Sequence, residues 1–227
     1  MIDQPTGDQL INELLADPVD FDRRGTAYQL LQAYFHGLPV ETLRPLLLHR
    51  NGLVRRAAMF VASELGHGAR ALIHDVVPLI RDLDPHIRWY AIESVMASSS
   101  SGADADQFGY VIQELENEDD SMRRLAMRLV SNANQTQIEV CSQRCGPIGS
   151  GALHEQGLLI LLKGDSVDRN DVLRMLGAPD PLTRKYGAIA AKRLFNKCPQ
   201  LLKDAALSTD HDVNRFSIEA LKTYGTM

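Results

Sequence analysis

An all-α fold, a right-handed α-solenoid of about seven antiparallel helix pairs, is predicted by three observations on this 227-residue chain. A short phrase recurs at a nearly constant step, each clear copy opens on a helix-capping residue, and one position of the phrase is always small. The clearest copies are 84–91 (Asp-Pro-His-Ile-Arg-Trp-Tyr-Ala), 119–126 (Asp-Asp-Ser-Met-Arg-Arg-Leu-Ala) and 180–187 (Asp-Pro-Leu-Thr-Arg-Lys-Tyr-Gly). Weaker copies lie at 20–27, 51–58 and 210–217, and a degenerate one surrounds His154. With the fifth residue as register, the copies sit at 24, 55, 88, 123, 154, 184 and 214, in steps of 31, 33, 35, 31, 30 and 30 residues. Self-similarity at this period marks stacked repeats, in which each unit buries its apolar face against its neighbours.

Within a copy the chemistry is that of a helix start. Asp or Asn supplies an oxygen for free N–H groups, and Pro85 and Pro181 suit the first helical turn. Positions −1, +3, +4 and +7 from the register trace one apolar helix face, as in Val54, Ala58, Met59 and Ala62, or Met122, Ala126, Met127 and Val130. Position +3 reads Ala27, Ala58, Ala91, Ala126, Gly157, Gly187 and Ser217, which predicts a close backbone approach in every pair.

Taken in order, the segments between copies read as the first helix of each pair: 40–49, 69–83, 104–116, 168–176 and 199–207. Pro39 with Glu41 starts the first of these and Asp104 starts the third. The run Ser98 to Gly102 reads as a flexible surface loop between repeats. Residues 132–151, with Cys-Gly-Pro and Gly-Ser-Gly, match the repeat least and predict an irregular stretch. A linear array needs no internal boundary, so 1–227 is expected to form one repeat domain.

Composition narrows the function. The net charge of −5 argues against a protein that coats nucleic acid or anionic lipid as a whole. Cys141, Cys145 and Cys198 have no metal-ligand or redox spacing; Cys141 and Cys145, four apart, would share a helix face. The absence of a leader or a long apolar run leads us to expect a cytoplasmic protein.

The phrase Asp-Pro-x-x-Arg-x-x-Ala, opening the second of two antiparallel helices, resembles HEAT repeats, above all the short bacterial and phycobilisome-lyase-type variety. The resemblance covers nearly the whole chain and is specific for fold, while such arrays serve many functions. It implies a ladder of Asp–Arg pairs between successive repeats, with structural duty for Asp84, Arg88, Asp119, Arg123, Asp180 and Arg184. It also implies that the second helices line a concave, partner-binding side. Positions +1, +5 and +8 would then face that groove, carrying seven cations and three carboxylates, a net +4 within a chain of −5. From this stripe Arg56, Phe60, Trp89, Glu93, Met96, Arg124, Arg128, Lys185, Lys192 and Arg215 are the candidate partner-binding residues. Phe60, Trp89 and Met96 are expected to make one apolar patch, and the cations favour a partner with an acidic surface.

No phosphate loop, nucleophile elbow or metalloprotease helix occurs in the sequence. The single pair His154-Glu155 falls short of the several His-Glu pairs of HEAT-like di-iron hydroxylases, so neither a metal nor another cofactor is expected. A non-enzymatic protein-binding scaffold follows, such as a bacterial immunity protein that neutralises a toxin, or an adaptor. The alternatives are a HEAT-like nucleic-acid-binding protein or DNA glycosylase, for which Trp89 and Glu93 are the only matching pair, and a phycobilisome-lyase-type chaperone.

Overall fold

The computed structural model describes residues 5–100, 102–144 and 150–225, and the regular structure among them is entirely helical. By its own contacts the chain divides into two compact units, Met1–Ser99 and Ser100–Met227. Each is an all-α helical repeat.

The first unit contains α1 (Gly7–Ala16), α2 (Pro18–Arg23), α3 (Ala27–Phe35), α4 (Arg44–Leu47), α5 (Gly52–Leu65), α6 (Ile73–Val76) and α7 (Pro85–Ser98). The long second helices stack in chain order, α3 on α5 and α5 on α7. The expected first helices are broken. α4 follows a 3-10 turn at Val40–Leu43, and α6 is flanked by 3-10 turns at Gly66–Leu72 and Val77–Arg81. Gly66 at φ +54° ends α5, and Pro78, which has no N–H to donate, keeps 69–83 from forming one helix.

Two sequence expectations are corrected here. The copy at 20–27 does not open a helix: Asp17 caps α2, Asp20 lies inside it, and Gly25 at φ +66° ends it. Thr26 is buried there while Ala27 is only half-buried. The serine run is not wholly a surface loop either. α7 extends through Ser98, and Ser98 and Ser99 are buried, the Ser98 hydroxyl 3.5 Å from the Gly66 carbonyl oxygen.

The second unit contains α8 (Phe108–Gln113), α9 (Asp120–Asn132), α10 (Gln135–Arg144), α11 (Gly151–Leu162), α12 (Arg169–Leu176), α13 (Pro181–Arg193), α14 (Pro199–Ala205) and α15 (His211–Thr223). Of the stretch expected to be irregular, 135–144 form α10, while 145–149, Cys145 included, lie outside the described residues. The stack is not strictly sequential. α9 packs on α13 and on α15, whereas α11, the degenerate copy, packs on α10 and α13. Ser150 precedes α11 without a side-chain cap bond, and His154 stands where five of the other six copies carry an arginine.

The predicted inner face is the core. Val54, Ala58, Met59, Ala62, Met122, Ala126, Met127 and Val130 are all buried. Position +3 is where elements touch. A Cβ on Gly187 would stand 2.9 Å from the Leu176 backbone nitrogen, and one on Gly157 would stand 2.3 Å from the Tyr186 ring. Tyr186 is itself fully buried, so its ring has nowhere to move. Gly157→Ala should therefore lose about 1–3 kcal/mol by overpacking, read from urea unfolding. Gly109→Ala, whose Cβ would meet nothing closer than the Cys141 sulfur at 4.0 Å, should be neutral or gain up to about 1 kcal/mol from helix propensity. Equal gains at both positions would contradict the close approach at Gly157.

Candidate protein-binding surface

The second helices are positioned by a recurring set of polar bonds. Each cap side chain accepts from the first turn: Asn51 from the Leu53 N–H at 2.9 Å, Asp84 from His86 at 2.9 Å, Asp119 from Ser121 at 2.9 Å, Asp180 from Thr183 at 2.9 Å and Asp210 from Asp212 at 3.0 Å. The register arginine then reaches back over its own loop. Arg55 Nη1 donates to the His49 and Arg50 carbonyls at 2.9 and 3.1 Å, Arg123 Nη1 to Asn117 and Glu118 at 2.8 Å each, and Arg184 Nη1 to Ala178 and Pro179 at 2.9 and 2.7 Å. Arg88 makes the same pair of bonds at 3.2 and 3.4 Å.

The rest of the guanidinium grips a carboxylate from a later repeat. Arg55 holds Asp82 (Nε–Oδ2 2.8 Å), Arg184 holds Asp210 (Nε–Oδ2 2.9 Å) and Arg123 holds Asp212 (Nε–Oδ2 2.5 Å). Burial works against the Asp82 and Asp210 carboxylates, but bonds from these arginines and from backbone amides keep both pKa values below the ordinary carboxylate range. Sequence reading missed Asp82 and Asp212 as partners, because neither stands at the cap position of its copy.

The same geometry sorts the candidate partner-binding residues. In the first unit Arg56 is a rung, its Nε 2.8 Å from Asp84 Oδ2. Phe60 meets Tyr90 edge-on, with ring centroids 5.8 Å apart. Trp89, Glu93 and Met96 are half-buried on one face of α7. In the second unit Arg124 pairs along its own helix with Asp120 at 2.5 Å. Arg128 on α9 and Arg215 on α15 are exposed.

Lys185 requires a correction. It is only 6% exposed, its Nζ donates to the Leu115 carbonyl at 2.6 Å, and it lies 3.8 Å from Asp212. Burial pushes its pKa down, and Asp212 opposes the shift. It braces α13 from inside and offers no charge to the surface, because α9, α13 and α15 close on it where the stripe assumed open groove.

Lys192 on α13 is half-buried. Its Nζ donates to Ser131 Oγ at 2.6 Å and Asn132 Oδ1 at 3.1 Å, and lies 5.9 Å from the centroid of the Phe216 ring. The next residue, Arg193, donates from Nη1 to the Ser131 and Ala133 carbonyls at 3.3 and 2.8 Å. Arg193 falls one step off the +8 position, so the repeat register did not single it out. Its spacing alone carries no signal; only the course of the α9 C-terminus brings it in.

A polar network inside the second unit also escaped the sequence reading. His154 is buried, with Nδ1 2.8 Å from the Tyr186 hydroxyl and Nε2 3.0 Å from Glu116 Oε1. With Nε2–H donating to the carboxylate, Nδ1 accepts the Tyr186 O–H, so the neutral ring satisfies both partners. Burial pushes the His154 pKa down, and the bond from Glu116 opposes the shift. Beside it lies a cavity of about 470 Å³ lined partly by Asp106, Tyr110, Cys141 and Arg144. Among the described residues no three His, Cys, Asp or Glu side chains converge as a metal site, and no helix is long and apolar enough to cross a membrane.

No family model and no curated protein matches the chain. Solved structures do. A designed armadillo repeat protein in complex with the peptide (KR)4 is 11% identical, with a TM-score of 0.51 over 95% of this chain and 98% of that one. An engineered protein is 14% identical, with a TM-score of 0.51 over 96% of this chain and 68% of that one. At these identities the likeness is one of fold, a helical repeat of the solenoid class.

The His154 network makes stability depend on pH with a defined sign. The unfolded chain binds a proton near the ordinary histidine value of 6.5, whereas the folded chain binds it only at a lower pH. Stability from this site is complete above about pH 6.5 and falls as pH drops toward the folded value, by at most about 1.4 kcal/mol per pH unit. The parent chain's unfolding midpoint should lose ground to that of His154→Gln as pH falls below about 6.5, after a constant gap above it. Parallel curves would contradict the assignment.

Proposed function

We propose that this chain is a non-enzymatic protein-binding scaffold of HEAT-like type, which holds a partner with an acidic surface in the manner of an immunity protein on its toxin, or of an adaptor. The observation that carries this reading is the placement of cations in the second unit. Arg128, Lys192 and Arg215 stand on α9, α13 and α15, three helices that pack on one another, in a chain whose total charge is −5. A basic surface on a net acidic protein selects partners by sign and speeds their encounter. The solved neighbour in complex with the (KR)4 peptide supports the use of such a fold for binding a peptide. Its ligand is basic, and the charges here favour the opposite sign.

Selection of a random peptide display library on the immobilised protein at about 0.15 M salt tests the reading. Acidic sequences should be enriched, and Arg128→Glu with Arg215→Glu should remove the enrichment without unfolding. Basic or neutral winners would overturn it. So would duplex DNA binding that outcompetes peptide and weakens steeply with salt, since phosphate contacts release counterions.

A further inference from the structure

Most partly buried cations of the two units have a carboxylate. Arg55, Arg56, Arg123, Arg124 and Arg184 each hold an aspartate, and Lys185 lies beside one. Lys192 and Arg193 do not. Both are half-buried, both hydrogen bond only to neutral oxygens of Ser131, Asn132 and Ala133, and neither has a carboxylate within ion-pair reach among the described residues. Partly desolvated like charges side by side are unfavourable unless an anion joins them. Part of the arrangement serves the fold, since cations belong near a helix C-terminus such as that of α9. That role needs one cation on the last carbonyls, and Arg193 fills it. It does not account for Lys192, held over the Phe216 ring by two side-chain oxygens.

We propose that Lys192 and Arg193, with the Phe216 ring beneath Lys192, form the anchor for a carboxylate pair of an acidic protein segment. The hydroxyl of Ser131 and the amide oxygen of Asn132, with the buried Phe216 ring beneath, fix the ammonium in place, so a carboxylate meets a preset donor. The fork of Arg193 keeps Nη2 and Nε for a second carboxylate oxygen while Nη1 stays on α9. This assignment rests on the acidic-partner reading above and localises it.

A fluorescein-labelled alternating Asp-Glu octapeptide, titrated with the full chain to about 1 mM at 0.15 M salt and followed by anisotropy, tests it. Lys192→Gln should weaken binding at least about tenfold, while Lys203→Gln, the same charge change at an exposed position of α14, should leave it within about twofold. Arg193 also caps α9 and could fail to fold when replaced, so Lys192→Gln carries the test, with circular dichroism to show the variant intact. Equal binding by Lys192→Gln and the parent overturns the anchor while leaving the acidic-partner reading standing. No octapeptide binding by any form, in a chain whose library winners are not acidic, overturns both. Displacement of the octapeptide by a few millimolar inorganic phosphate also overturns the proposal and assigns the cluster to phosphate.

Discussion

The arrangement depends on what a guanidinium fork can do that no other side chain can. Arg presents five N–H donors in a fixed plane, so one residue can hold two carbonyls on one side and a carboxylate on the other. At Arg55, Arg123 and Arg184 the first pair of bonds ties the helix start to the carbonyls of the preceding loop, and the remaining donors reach an aspartate of a later repeat. Loop carbonyls at a helix start would otherwise face a partly buried junction without donors, at a cost comparable to a lost hydrogen bond each. The phrase that repeats in the sequence is therefore the chemical formula of a joint.

Where the formula lapses, the stack changes course. At 154 the register residue is histidine, with one ring N–H to donate when neutral, and no acidic cap precedes α11. α11 consequently sits against α10 and α13, joined by a histidine–tyrosine bond and by the Tyr186 ring lying over Gly157. The rung from Arg123 passes to Asp212, 89 residues on, and α9, α13 and α15 close into one cluster. Lys185 is trapped inside that closure, while Lys192 and Arg193 emerge at its edge.

Much of the fold was legible because local rules agreed. Caps at Asn51, Asp84, Asp119, Asp180 and Asp210 are where the sequence placed them, and from Ala58 onward the small residues at +3 are buried. The miss at 20–27 came from a phrase with the right letters and a glycine in the wrong place: Gly25 at φ +66° ends a helix where the copy needed to begin one. A further signal went unread. The residue two before the cap also accepts a bond, from the cap N–H to His49, Asp82, Asn117 or Ser208, and four chemically different side chains do not look alike in sequence.

The candidate surface was harder to read, because helical spacing tells which face a residue occupies but not what comes to cover it. Arg56 and Arg124 carry the charge the stripe predicted and place it on Asp84 and Asp120. Arg193, off the stripe, joined the cluster through the C-terminus of α9.

The joint itself is tested most directly by Arg184→Lys in urea unfolding, since lysine keeps the charge and gives up the planar fork. With three bonds to two carbonyls and Asp210 at stake, the account predicts a loss of about 1.5–3 kcal/mol with the helical signature retained. A loss under about 0.5 kcal/mol, the size of an ordinary surface ion pair, would show that charge alone holds the repeats and would contradict it.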